Sequence, residues 1–229
     1  MGLVSWNENL PGLLDHTVLR PEATKADVLR LCAEAKEQGF VVIFVPPCYV
    51  DEAVAAVAGT AVQVGIPIGF PLGGHSTHTK VTEAIEAVAH GALVLDMVIN
   101  ISRLKSGDHD VVRQDMAAVV QATPGVNHKV ILETCLLTRE EKITACRLAV
   151  EAGMDYVKTS TGFNQAGATV EDVRLMKEAV AGRAKVKASG GIRDWKSTRA
   201  LLEAGADRIG TSASLKIVGE WRAEQVAVR

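Results

Sequence analysis

Short, continuous apolar runs alternate with longer amphipathic stretches along all 229 residues, and this alternation constrains the fold more than any other feature. Runs such as FVVIFV at 40–45 and LVLDMVI at 93–99 lack the apolar–polar alternation of a half-exposed sheet, so they read as strands covered on both faces. Strands are expected at 13–15, 40–45, 62–68, 93–99, 129–132, 156–159, 185–188 and 208–210. Helices are expected after Thr24 to 38, at 51–58, 77–90 and 110–121, after Thr138 to 152, at 170–180, after Asp194 to 203, and from about Ala213 onward. Thr24, Thr138 and Asp194 read as N-caps, and Gly39 as a stop signal. Eight strand–helix units in a chain of this size predict a single-domain (β/α)8 TIM barrel over 1–229. The rival, an open doubly wound sheet, would carry a GxGxxG turn after its first strand, and this chain has none there.

Composition narrows the function classes. Aromatic residues are 4% of the chain against 48% hydrophobic, so the core must be aliphatic. The 25 basic and 27 acidic residues are well mixed, which gives no reason to expect nucleic acid or an anionic membrane as partner. No apolar run approaches the length of a membrane span, and the N-terminus lacks a signal-peptide pattern. Cys32, Cys48, Cys135 and Cys146 form no CxxC pair, and scattered thiols of this kind suggest a reducing, cytoplasmic setting.

In a barrel, chemistry gathers at the C-terminal ends of the strands. Lys158 in YVKTSTGF and Lys187 in VKASGGIR each end a short strand and lead into small, glycine-rich sequence. A lysine placed beside a second cation loses its proton more easily and becomes a nucleophilic amine, so the pair reads as a Schiff-base site. The residues alone leave open which lysine attacks. Asp96, inside an apolar run, needs a cation or hydrogen-bond donors as partner, and Asp15 stands at the first strand end.

Gly190, Gly191 and Arg193 after the seventh strand, with Gly210 and Ser212 after the eighth, suggest a phosphate-binding cradle. The GFPLGG segment at 69–74 reads as a pocket wall or a turn. His75 and His78 share a helical face but lack an evident third ligand, so a surface pair is preferred over a metal site. Cys48 and Cys135 have no base at a recognisable spacing and are expected to serve in packing.

The stretches KVILETCLLT, YVKTSTGF, GATVEDV and KASGGIR closely resemble the deoxyribose-phosphate aldolases, and the likeness runs from LDHT at Leu14 to GTS at Gly210. The resemblance implies a (β/α)8 barrel without metal or other cofactor that reversibly cleaves 2-deoxy-D-ribose 5-phosphate to acetaldehyde and D-glyceraldehyde 3-phosphate. It assigns the imine to Lys158, a supporting cationic role to Lys187 and proton transfer with a water to Asp96. Asp15, Thr17, Lys129 and Thr161 match polar positions around the substrate. Gly162, Gly190, Gly191, Arg193, Gly210 and Ser212 match the phosphate cradle, where the Ala213 N–H would also meet the anion.

Barrels of this kind often form dimers, so a homodimer is the partner reading beside small phosphorylated sugar and aldehyde substrates, although no interface patch is legible. Phe44 stands where the family has a smaller residue, Pro46 follows in an altered strand end, and Val94 replaces an acidic position. These departures motivate one alternative, a related class I aldolase with another donor or acceptor. A second is a non-catalytic sugar-phosphate-binding barrel.

Overall fold

The computed structural model describes residues 8–227. Eight parallel strands close into a barrel in sequence order: β1 (Leu14–Thr17), β2 (Val42–Phe44), β3 (Gln63–Ile68), β4 (Val94–Val98), β5 (Asn127–Ile131), β6 (Tyr156–Lys158), β7 (Lys185–Ser189) and β8 (Arg208–Thr211). Around them lie α1 (Lys25–Gln38), α2 (Val50–Val57), α3 (Thr77–Ala89), α4 (Ile101–Lys105), α5 (His109–Ala122), α6 (Arg139–Glu151), α7 (Val170–Val180), α8 (Trp195–Glu203) and α9 (Ser214–Ala227). The expected (β/α)8 barrel is the fold observed.

Local chemistry explains most boundaries. The Thr24 side chain accepts the Asp27 N–H while Asp27 reaches back to Thr24, and Gly39 ends α1 in the left-handed region at φ 81°. A second capping box joins Thr138 and Glu141, and Asp194 accepts the Ser197 N–H to open α8. The expected strand at 40–45 is shorter, Val42–Phe44, although Val41 and Val45 still bond to β3 through the Gln63 N–H and the Gly65 carbonyl. The α4 turn was not anticipated: Asn100 caps it by accepting the Arg103 N–H, but five residues are too few to show a helical period.

Strand parity divides the apolar residues between two places. Ile43, Leu95, Val130, Val157, Val186 and Ile209 belong to the large core that packs against the helices. Their strand neighbours point into the barrel, where Val42, Phe44 and Val94 form a small separate cluster. Other inward positions carry charge, among them Asp15, Asp96, Lys129, Lys158, Lys187 and Arg208.

Among the described residues, no helix is long and apolar enough to cross a membrane. His75 and His78 are both exposed beside the start of α3. Cys48 is also exposed, which corrects the packing role expected for it: its short turn after β2 lies outside the core. The 69–74 segment is a turn, with Gly73 at φ 72° lying so close to Ile99 that a Cβ would meet the Ile99 carbonyl oxygen at 2.2 Å.

Candidate active site

Lys158 on β6 and Lys187 on β7 are register partners on adjacent parallel strands, so both side chains enter the barrel at one level. Asp96 on β4 and Lys129 on β5 are likewise partners, and Lys129 pairs with Tyr156, two residues before Lys158. Each of these four residues follows or precedes an outward-facing aliphatic residue, which is why the charges interrupt apolar runs.

The interior holds a chain of charges. Lys158 Nζ and Lys187 Nζ both lie 2.7 Å from Asp96 Oδ2, and Lys129 Nζ stands 3.6 Å from Asp96 Oδ1. Lys187 Nζ is also 2.6 Å from Asp15 Oδ2, and Arg208 Nε donates to Asp15 Oδ1 at 2.6 Å. The Phe44 ring faces the same ammonium groups, with its centroid 3.9 Å from Lys187 Nζ and 5.5 Å from Lys158 Nζ.

Two carboxylates thus face four basic groups in an enclosed interior, where excess charge is costly. Burial pushes the Lys158 ammonium down to about 8 against the pull of Asp96, and Lys187 lowers it further. Burial also brings Lys129 to about 8, opposed by Asp96 and Asp15. For Asp15, burial acts upward but Arg208, Lys187 and Lys129 outweigh it and hold the carboxyl at about 2. Asp96 is held well below the usual carboxylate range: burial opposes this, and Lys158, Lys187 and Lys129 overcome it. The leading cause for Lys158 is therefore burial, with the second cation contributing less than the sequence argument assumed.

A cleft of about 360 Å³ opens above this cluster at the C-terminal end of the strands. Lys158, Thr17, Thr161, Gly162, Gly190, Gly191, Arg193, Gly210 and Ser212 all line it, so most of the expected site residues converge. Asp15, Asp96, Lys129 and Lys187 do not line it. Asp15 and Lys129 were expected around the substrate, but they are fully enclosed below the wall, where they balance the other charges.

The walls carry Arg20, Arg193 and Lys158 and no carboxylate. Arg20 is engaged by Asp27 at 2.6 Å, whereas Arg193 is exposed and has no ion-pair partner among the described residues. Gly190 and Gly191 have φ of 92° and 75°, a region that favours glycine, and bring bare backbone to the cleft. Gly210 serves a second purpose: a Cβ there would lie 2.8 Å from Lys187 Cε. The Ala213 N–H expected for the anion instead donates to Thr211 Oγ1 at 2.9 Å.

The chain is similar to known proteins over most of its length. A family model described as DeoC/LacD family aldolase matches residues 12–218. The chain belongs to this aldolase family. The deoxyribose-phosphate aldolase of Thermoanaerobacter sp. (strain X514) is 54% identical over 216 residues, covering 93% of this chain and 97% of that one. That of Caldanaerobacter subterraneus subsp. tengcongensis is 51% identical over 217 residues, covering 93% and 94%. The solved deoxyribose phosphate aldolase from Aeropyrum pernix, described as a unique tetramer, superposes with a TM-score of 0.89 at 31% identity, covering 97% of this chain and 94% of that one.

Three features of this aldolase site were not found by sequence reasoning. Arg208 is the partner of Asp15 across the β1–β8 seam, 193 positions away in sequence. Gly65 makes room for Phe44, since a Cβ there would lie 2.6 Å from the ring. Glu133 accepts hydrogen bonds from the cleft residue Thr161. A charged residue closing an apolar strand, as in KVILE, was the available signal for Glu133.

Proposed function

We propose that this chain is a class I aldolase that reversibly cleaves 2-deoxy-D-ribose 5-phosphate to acetaldehyde and D-glyceraldehyde 3-phosphate through an imine on Lys158. The observation that carries the reading is the position of Lys158, the member of the buried lysine–aspartate cluster that borders the cleft. Its depressed pKa gives an appreciable fraction of neutral amine near pH 8.

The Lys158 amine attacks the aldehyde carbon of the open-chain sugar, and loss of water leaves a protonated imine. The imine accepts the electron pair of the breaking carbon–carbon bond while the hydroxyl on the departing fragment loses its proton. Asp96 is enclosed, so its part in proton transfer runs through a water and the ammonium groups it holds. Its Oδ1, which has no hydrogen-bond partner among the described residues, has the acceptor capacity for that water. Lys187 balances Asp96 and Asp15 and keeps the local potential positive beside the imine. Release of glyceraldehyde 3-phosphate leaves an enamine, whose protonation and hydrolysis yield acetaldehyde.

The glycine backbone at 190–191 and the exposed Arg193 suit a phosphate at the other end of the cleft, and the acid-free wall supports this placement. Phosphate binding remote from the reacting bond then positions the sugar. Phe44 does not border the cleft, so it gives no support to a donor or acceptor altered by narrowing. A cytoplasmic setting agrees with four unpaired thiols, and a homodimer is the assembly proposed, to be checked by sedimentation.

Borohydride reduction in the presence of acetaldehyde, followed by peptide mass mapping, should place the adduct on Lys158. Absence of that adduct would sink the reading. Turnover of deoxyribose 5-phosphate that disappears in a folded Lys158→Ala variant would exclude a non-catalytic barrel.

A further inference from the structure

Glu133 lies just beyond β5 with φ 58° and ψ 62°, the left-handed region that side chains other than glycine seldom adopt. Such strain persists where surrounding contacts hold it, and it concentrates at functional sites. Here the contacts are visible on both sides. The Leu132 N–H donates to the Lys158 carbonyl at 2.9 Å and the Thr134 N–H to the Thr159 carbonyl at 3.0 Å, so β5 stays tied to β6 before and after the strained residue.

The strained turn delivers a buried carboxylate to one target. Glu133 is 2% exposed and makes no ion pair among the described residues. Its Oε1 accepts the Thr161 N–H at 3.2 Å and its Oε2 accepts the Thr161 hydroxyl at 2.5 Å. Thr161 Oγ1 in turn accepts the Phe163 N–H at 3.0 Å. Both polar groups of Thr161 are thus committed to holding the turn that follows the imine strand. Thr161, Gly162 and Phe163 form one wall of the cleft, and Gly162 abuts the Gly190 backbone of the cradle.

We infer that Glu133 is a positioning residue that fixes the 161–163 wall and through it the binding of the substrate's phosphate-bearing end. The inference rests on the proposed aldolase reading and goes beyond it. A carboxylate suits this task because it accepts both Thr161 donors at once, which neither a hydroxyl nor a single amide oxygen does with equal geometry. The role is separable from catalysis, since acetaldehyde carries no phosphate and needs only Lys158.

The test compares wild type, Glu133→Gly, Glu133→Gln and Thr161→Val. Glycine relieves the left-handed backbone strain while deleting the carboxylate, so a merely structural turn would tolerate it well. The expected result for Glu133→Gly is a KM for deoxyribose 5-phosphate raised about tenfold or more, with kcat changed much less. Reductive trapping of acetaldehyde on Lys158 should proceed at the wild-type rate.

Glutamine, which keeps one acceptor, should recover part of the KM loss. Thr161→Val should raise KM in the same direction, and adding it to Glu133→Gly should bring little further change. If Glu133→Gly fails to fold, Glu133→Gln carries the test: its KM should rise above wild type while acetaldehyde trapping keeps the wild-type rate. Unchanged KM, or equal losses in turnover and in acetaldehyde trapping, would overturn the inference. A wild-type chain that traps no acetaldehyde and cleaves no phosphate ester removes the underlying reading and this inference with it.

Discussion

Lys158 and Lys187 donate to the same oxygen of Asp96, each at 2.7 Å. One carboxylate oxygen therefore restrains two ammonium groups, and the charge of Lys187 bears on the titration of Lys158. Only Lys158 of the two borders the cleft. The shared oxygen thus joins a nucleophile that substrate can reach to a cation that it does not, and it sets the terms of the pH behaviour.

The imine-forming step should follow the titration of Lys158. Its pKa of about 8 lies below the ordinary lysine value of 10.5. The neutral fraction therefore rises about tenfold per pH unit below 8 and levels off above it. The initial rate of acetaldehyde trapping by cyanoborohydride, measured from pH 6 to 9, should show that rise and plateau. A flat profile over this range contradicts the assignment.

Removing the second cation should move that profile. Lys187 lowers the pKa of Lys158, so Lys187→Leu is expected to shift the rise toward higher pH and slow trapping at pH 7. Lys187→Arg, which retains the charge, should shift it less. The comparison separates the electrostatic part of Lys187 from its packing against Gly210.

How much of this was readable in the sequence depended on locality. Lys158, Lys187 and Asp96 were legible because a charge inside an apolar strand needs an explanation, and the glycines at 190–191 were legible because they follow a strand directly. The Asp15–Arg208 pair was not legible, because only closure of β1 against β8 brings those strands together. Glu133 was legible only as a charge closing the apolar run KVILE; its role depends on a left-handed turn that the run does not announce. The depth of Asp15 and Lys129 was not legible either, because it is set by strand register, which motif matching does not supply.

Acid should weaken the fold partly through Asp15. Its carboxyl is held at about 2 in the folded chain against an ordinary 3.8. A depressed carboxyl stabilises the fold above its unfolded value and loses that contribution as pH falls through the folded one. The contribution is of the order of 2 kcal/mol at pH 6 and fades between about pH 4 and 2. In Asp15→Asn, Arg208 and Lys187 lose their charged partner, at a cost of about 3 kcal/mol or more near neutrality. Urea titrations should show the gap between wild type and variant narrowing from pH 5 to pH 2, and a constant gap would contradict the linkage.

Phosphate recognition should depend on Arg193. It is exposed on the cleft wall without an ion-pair partner among the described residues, so its removal leaves no orphaned carboxylate. Arg193→Ala is expected to raise the KM for deoxyribose 5-phosphate about tenfold, the scale of one lost charge-assisted hydrogen bond. Cleavage of unphosphorylated 2-deoxyribose should change by less than about twofold, which a general loss of activity would not reproduce.

The Phe44–Gly65 pair offers a test of the barrel interior. The two residues are register partners on β2 and β3, and a Cβ at 65 would lie 2.6 Å from the Phe44 ring. Gly65→Ala must therefore displace the ring, which is 1% exposed and has little free space around it. Overpacking of this kind costs about 1–3 kcal/mol. Phe44→Leu removes the obstructing ring atoms and leaves a partial cavity, at about 1–2 kcal/mol. In the double variant the added methyl group occupies space that the ring vacated, so the two losses should not add. Urea midpoints should place the double variant at least about 1 kcal/mol above the additive expectation. Strict additivity would mean that the ring and the glycine do not share this space.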